Sequence, residues 1–154
     1  MDLSYIKQEY NRVNQYYVSD KITYCSQMRS VNEQLVNQLY NILPQNKRVA
    51  VNAYTRIKAI EGFYSVIPIE VIGEMHTVRR IGNNYSHGNY GDVDKDALTV
   101  SIGMKKIVTF MQNNSDRIQQ EAADYKEPSN LWKYLSLAAS VVLTIGVAIV
   151  KGKK

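Results

Sequence analysis

Apolar and aromatic side chains recur along this chain at steps of three and four, the period of an amphipathic helix. Leu3, Ile6, Tyr10, Val13 and Tyr17 predict a helix over residues 3–18. Asp20 is a suitable cap for a second helix to about Asn41, with Ile22, Cys25, Met28, Val31, Leu35, Leu39 and Ile42 inside. Pro44, Gln45 and Asn46 break the pattern, and a third helix is expected over Val49–Phe63. Pro68 suits the first turn of a fourth helix reaching about Ile81, where Gly82-Asn83 reads as a stop or kink. Residues 83–92, rich in Gly, Asn, Ser and Tyr, read as a loop. Asp94 is the expected cap of a fifth helix to about Asn113, with Leu98, Ile102, Lys105 and Phe110 among its spaced positions. A short polar helix over Ser115–Tyr125 follows. No alternation of period two appears. The expected class is all-α, an antiparallel helical bundle.

The end of the chain has another character. Tyr134–Val150 is a run of 17 residues without a charge, bounded by Lys133 and by Lys-Gly-Lys-Lys. As a helix it would span about 25 Å, near the lower limit for a bilayer core. Trp132 and Tyr134 are placed as interfacial anchors. A soluble helix of this length normally shows a polar face, and this one has none. The expected organisation is a helical domain over 1–126, a hinge at 127–133, one C-terminal transmembrane helix at 134–150 and a basic tail at 151–154. The N-terminus lacks the basic and apolar regions of a secretory signal. A single-pass, tail-anchored protein with its helical domain in the cytoplasm is therefore expected. The lysines of the tail pull the other way, because positive charge tends to stay inside.

Composition narrows the chemistry. The formal charge is +5, but Lys133, Lys151, Lys153 and Lys154 all follow the last acidic residue, Glu127. Without them 15 basic residues face 14 acidic ones, so the body is nearly neutral and a polyanion site would have to be a local patch. One Cys and two His give no metal-ligand set, and no phosphate-binding glycine loop, zinc-protease, serine-hydrolase or EF-hand motif occurs. No metal and no cofactor is called for.

One constellation can carry chemistry. On a helix through Val71–Gly88, Val71, Met75, Val78, Gly82 and Tyr85 form an apolar stripe, and His76, Arg80, Asn83 and His87 share a sector roughly opposite. Arg79 falls between the two. A solvated polar face would look the same. The sharper reading is an acid–base and phosphate site. An imidazole titrates near neutrality and can exchange a proton with a ribose hydroxyl, while a guanidinium holds phosphate in a fixed fork.

The run Arg79-Arg80-Ile81-Gly82-Asn83-Asn84-Tyr85-Ser86-His87-Gly88 resembles the signature of the HEPN superfamily of helical domains, an Arg followed after four to six residues by a His. It is similar in particular to an "LRxIGNxxAH" variant of bacterial domains of unknown function, with Val78 for the usual Leu and Tyr85-Ser86 for two small residues. Whether Arg79 or Arg80 is the signature arginine stays open. The resemblance covers about ten residues closely and residues 50–114 in helix pattern. It implies a homodimer with two Arg/His motifs facing one cleft. Many members are metal-independent endoribonucleases of toxin–antitoxin, antiphage or RNA-processing systems, working beside an antitoxin or a nucleotidyltransferase. Others are binding or scaffold modules. By that likeness His87 would assist attack of a ribose 2′-hydroxyl, Arg79 or Arg80 would hold the phosphate, and Asn83 or Asn84 would orient the imidazole. Tyr85, Tyr90 and His76 would contact an RNA substrate. A different class also fits the chain: a non-catalytic, tail-anchored interaction or scaffold protein.

Among the 12 tyrosines, Tyr10, Tyr17, Tyr24 and Tyr40 fall at helical spacing and read as packing residues. Cys25 reads as a buried thiol, Glu70 and Glu74 as salt-bridge carboxylates, and Lys105-Lys106 as solvated surface.

Overall fold

Side-chain caps set where three of the helices begin. In the computed structural model, which describes Met1 and residues 3–126, these residues form α-helices and one 3-10 turn, with no strand among them. The helices are α1 (Ser4–Asn14), α2 (Tyr16–Ser19), α3 (Lys21–Asn41), α4 (Ala53–Phe63), α5 (Ile69–Ser86) and α6 (Val93–Asp124), with the 3-10 turn at Gln45–Lys47. The Asp20 carboxylate accepts from the Thr23 amide at 2.9 Å and opens α3. At α4 the Asn52 side chain accepts from the Thr55 amide at 3.0 Å, and the Thr55 hydroxyl accepts from the Asn52 amide at 3.2 Å. This reciprocal cap starts the helix at Ala53 rather than Val49.

Several boundaries differ from the sequence pattern, each for a local reason. The first predicted helix is two, because the Gln15 amide tightens onto the Arg12 carbonyl at 3.4 Å. Asp92, not Asp94, caps α6, accepting from the Lys95 amide at 3.1 Å. Asp94 instead pairs with Lys21 of α3. The break expected at Asn114 is absent. The Asn114 amide group turns back to the Phe110 carbonyl at 2.9 Å, and Ile118, fully buried, continues the apolar stripe. That stripe is Ala97, Val100, Met104, Ile107 and Met111. Leu98 and Ile102, expected among the spaced positions, lie on the outer face about half exposed.

The largest correction concerns α5. It runs unbroken through Gly82-Asn83 to Ser86. Gly82 serves packing rather than termination. A β-carbon there would stand 2.4 Å from the Arg29 Cβ and 2.7 Å from the Cys25 carbonyl oxygen of α3. The stop is Gly88, at φ +75°. Its amide donates to the Tyr85 carbonyl at 3.3 Å and that of Asn89 to the Asn84 carbonyl at 2.9 Å, the two bonds of a Schellman ending.

Within Met1–Asp124, α3 is central. It runs against α5: Cys25 meets Gly82, and the Asn32 amide group donates to the Met75 carbonyl at 2.9 Å. Helix α5 opposes α6. The Tyr85 hydroxyl donates to Asp96 at 3.1 Å near one end, and Lys106 pairs with Glu74 at 2.6 Å farther along. Glu121 accepts from the Ser65 amide at 2.7 Å and the Val66 amide at 3.2 Å, tying the α4–α5 connection to the end of α6. Cys25 is fully buried, and burial pushes its thiol up to about 12, which keeps it protonated and unreactive. Among the described residues no helix is long and apolar enough to cross a membrane. The expected hinge at 127–133, anchor at 134–150 and tail at 151–154 lie outside the described residues.

Two alanine substitutions separate packing from helix propensity. Gly82→Ala should cost roughly 2–3 kcal/mol, because the added methyl forces α3 and α5 apart. Gly62→Ala, with nothing within 4 Å of the new carbon, should gain about 0.5–1 kcal/mol. Denaturant unfolding followed by helical circular dichroism measures both. Equal effects would show that the close approach at Gly82 is unimportant.

Candidate functional site

Because α5 stays helical through Ser86, its polar positions keep register. Arg80, Asn83, Asn84 and His87 follow one another at i, i+3, i+4 and i+7, and so lie along one side of the helix end. The rise from Arg80 to His87 is about 10 Å. Arg80, Asn84 and His87 are exposed and Asn83 is half-buried. His87 is the last residue before the Schellman glycine. Its amide bonds the Asn83 and Asn84 carbonyls at 3.2 and 3.1 Å, so its backbone is held although it closes the helix.

The other half of the polar face is covered. Helix α4 packs back along the first half of α5 and sets the Tyr54 ring tilted against His76, with centroids 5.2 Å apart. The Arg79 guanidinium sits over the same ring at 5.5 Å. Both imidazole nitrogens of His76 and the Arg79 Nε are buried without a hydrogen-bond partner. Burial, then the cations of Lys58 and Arg79, hold the His76 imidazole below its ordinary range, and Glu61 opposes them weakly. His76 is therefore a packed neutral ring under α4, apart from the open end of the face. The two adjacent arginines part company in the same way: Arg79 turns to Tyr54 and Arg80 to solvent.

Tyr85 points inward. It is buried, its hydroxyl is on Asp96, and burial together with that carboxylate pushes its phenol upward. It ties the end of α5 to the start of α6 and does not share the His87 side. Tyr90 packs at a tilt against the Tyr85 ring, with centroids 5.4 Å apart, and is half exposed.

Two participants were not legible in the sequence. Arg29 of α3 donates to the Ser86 hydroxyl at 3.1 Å while paired with Glu33 at 2.9 Å, so a further guanidinium stands next to the residue before His87. Ser26 shares that hydroxyl at 3.0 Å. The Arg29–Glu33 spacing is visible in the chain, but its reach to α5 depends on the α3–α5 crossing. Tyr54 is the other. Among the described residues no three His, Cys, Asp or Glu converge as a metal site.

The half-buried His76, with both ring nitrogens covered, sets a pH dependence with a definite sign. The unfolded chain protonates near pH 6.5 and the folded ring resists it, so the contribution is complete above pH 6.5 and is lost as pH falls below it. Between pH 7.5 and 5.5 the melting temperature should drop, and His76→Leu should flatten the drop while holding or raising stability at pH 7.5, since two orphaned nitrogens go. An unchanged slope in the variant would assign the pH response elsewhere.

No family model, curated protein or solved structure matches this chain.

Proposed function

We propose that the chain is a HEPN-like, membrane-tethered helical protein that acts on RNA as a metal-independent endoribonuclease at Arg80 and His87. The carrying observation is the uninterrupted α5, which sets a guanidinium and an imidazole two turns apart on one open side of a helix end. Arg80 is the working arginine in this reading. It faces solvent on the His87 side, whereas the Arg79 guanidinium lies over Tyr54.

In this mechanism the neutral His87 imidazole takes the proton of a ribose 2′-hydroxyl. The freed oxygen attacks the adjacent phosphorus, the bond to the 5′-oxygen breaks, and the protonated imidazole returns its proton to that oxygen, so that a 2′,3′-cyclic phosphate and a 5′-hydroxyl result. Arg80 neutralises charge on the non-bridging oxygens as phosphorus becomes five-coordinate. Asn83 or Asn84 orients the imidazole. A homodimer joined at this side would bring two such sets to one cleft. The uncharged run at 134–150 supplies the anchor, and a toxin–antitoxin or antiphage setting fits a cleavage activity held at a membrane.

Full-length protein in detergent micelles should cleave single-stranded RNA in EDTA. His87→Ala and Arg80→Ala should each lower the rate at least 100-fold, and Arg79→Ala less than tenfold. Equal inactivity of wild type and variants on varied RNAs would remove the nuclease reading and leave the interaction protein. Light scattering should give a dimer, and a monomer stable to dilution would remove the shared cleft.

A further inference from the structure

Helix α1 packs on α3 and faces α6 across a groove, running in the opposite sense. The amino group of Met1 reaches Gln119, and Lys21, just past α2, reaches Asp94. Between the two helices runs a groove of about 470 Å³, within the range of clefts that hold a ligand, roughly 300–1,000 Å³. Its walls are two polar stripes. Lys7, Asn11 and Asn14 stand at i, i+4 and i+7 on α1, and Lys105 and Gln112 at i and i+7 on α6. Tyr10 adds an aromatic ring.

The charge of the groove differs from that of the body. No carboxylate lines it. Three carboxylates of the neighbouring helix faces are paired: Glu9 with Arg12 at 2.8 Å, Asp94 with Lys21, and Glu74 with Lys106. Among the described residues Lys7 and Lys105 make no ion pair. On a nearly neutral domain this is a local positive trough with amides along it.

We propose that the α1–α6 groove is a binding site for single-stranded nucleic acid. Lys7 and Lys105 take backbone phosphates. Asn11, Asn14 and Gln112 offer both donors and acceptors to base edges, and Tyr10 offers a stacking face. The lining spans i to i+7 on both helices, about 10 Å, which is longer than a single free phosphate, so an extended polyanion carrying hydrogen-bonding bases fits it better. The site stands apart from the Arg80–His87 reading and does not require cleavage.

The test is fluorescence anisotropy with full-length protein in micelles, on a labelled 12-nucleotide RNA and the DNA of the same sequence, in EDTA, with the His87→Ala variant used to keep the RNA intact. Lys7→Gln with Lys105→Gln should weaken binding at least tenfold. It should also lower the slope of log K against log salt by about 0.7 per lysine. Lys95→Gln with Lys106→Gln removes the same charge outside the groove and should change binding less than twofold. Preference for RNA, or equal binding of both strands, supports the site and tells whether the ribose is read. Equal weakening by both double variants, or no binding by the wild type, overturns it. Retained binding with no cleavage by the wild type would leave this site standing while the nuclease reading falls.

Discussion

Helix α5 is held by one close crossing. At Gly82 the α3 backbone comes near enough that the Cys25 carbonyl oxygen would stand 2.7 Å from any added β-carbon. Interiors are close-packed and cannot yield by an ångström without loss, so this contact fixes the rotation and height of α5 against α3. With α5 so placed, Tyr85 must face α6 and meet Asp96, and Ser86 must face α3 and meet Ser26 and Arg29. The remaining side, carrying Arg80, Asn84 and His87, is left to solvent. The candidate site is thus a consequence of how a glycine is spent in the core.

The same polar face is used twice. Its first half is roofed by α4, where Tyr54 covers His76 and draws in Arg79. Its second half has no roof. The division follows from length: α4 has 11 residues and α5 has 18, so a helix packed back along α5 from the turn at residues 64–68 ends before reaching Arg80. Two histidines that share a sector on the helix therefore live in opposite environments. One is a half-buried packing ring that covering groups and nearby cations hold below its ordinary range, and the other is an exposed side chain at a helix end.

Charge shows a comparable division. Near-neutrality of the body is an average over regions that differ. Among the described residues five acidic side chains sit beside a lysine or arginine, Glu9–Arg12, Asp94–Lys21, Glu33–Arg29, Glu61–Lys58 and Glu74–Lys106. Such exposed pairs add little stability, but they cancel field locally. The α1–α6 groove is left positive because, among the described residues, its two lysines have no such neighbour.

The residue order alone carried the helical class, the Asp20 cap, most of the core stripes and the buried state of Cys25, because period and capping are local properties of a chain. It also carried the i, i+7 relation of Arg80 to His87, which any helix would honour. Glycine was where local reasoning failed. Gly82 and Gly88 look alike in sequence, and only the approach of α3 shows that the first is needed for space and the second for a left-handed turn. The separation of Arg79 from Arg80, the inward turn of Tyr85, the roof over His76 and the nearness of Arg29 to Ser86 each depend on a second helix distant in sequence. Such contacts follow from packing at a crossing, and no spacing within one segment encodes them.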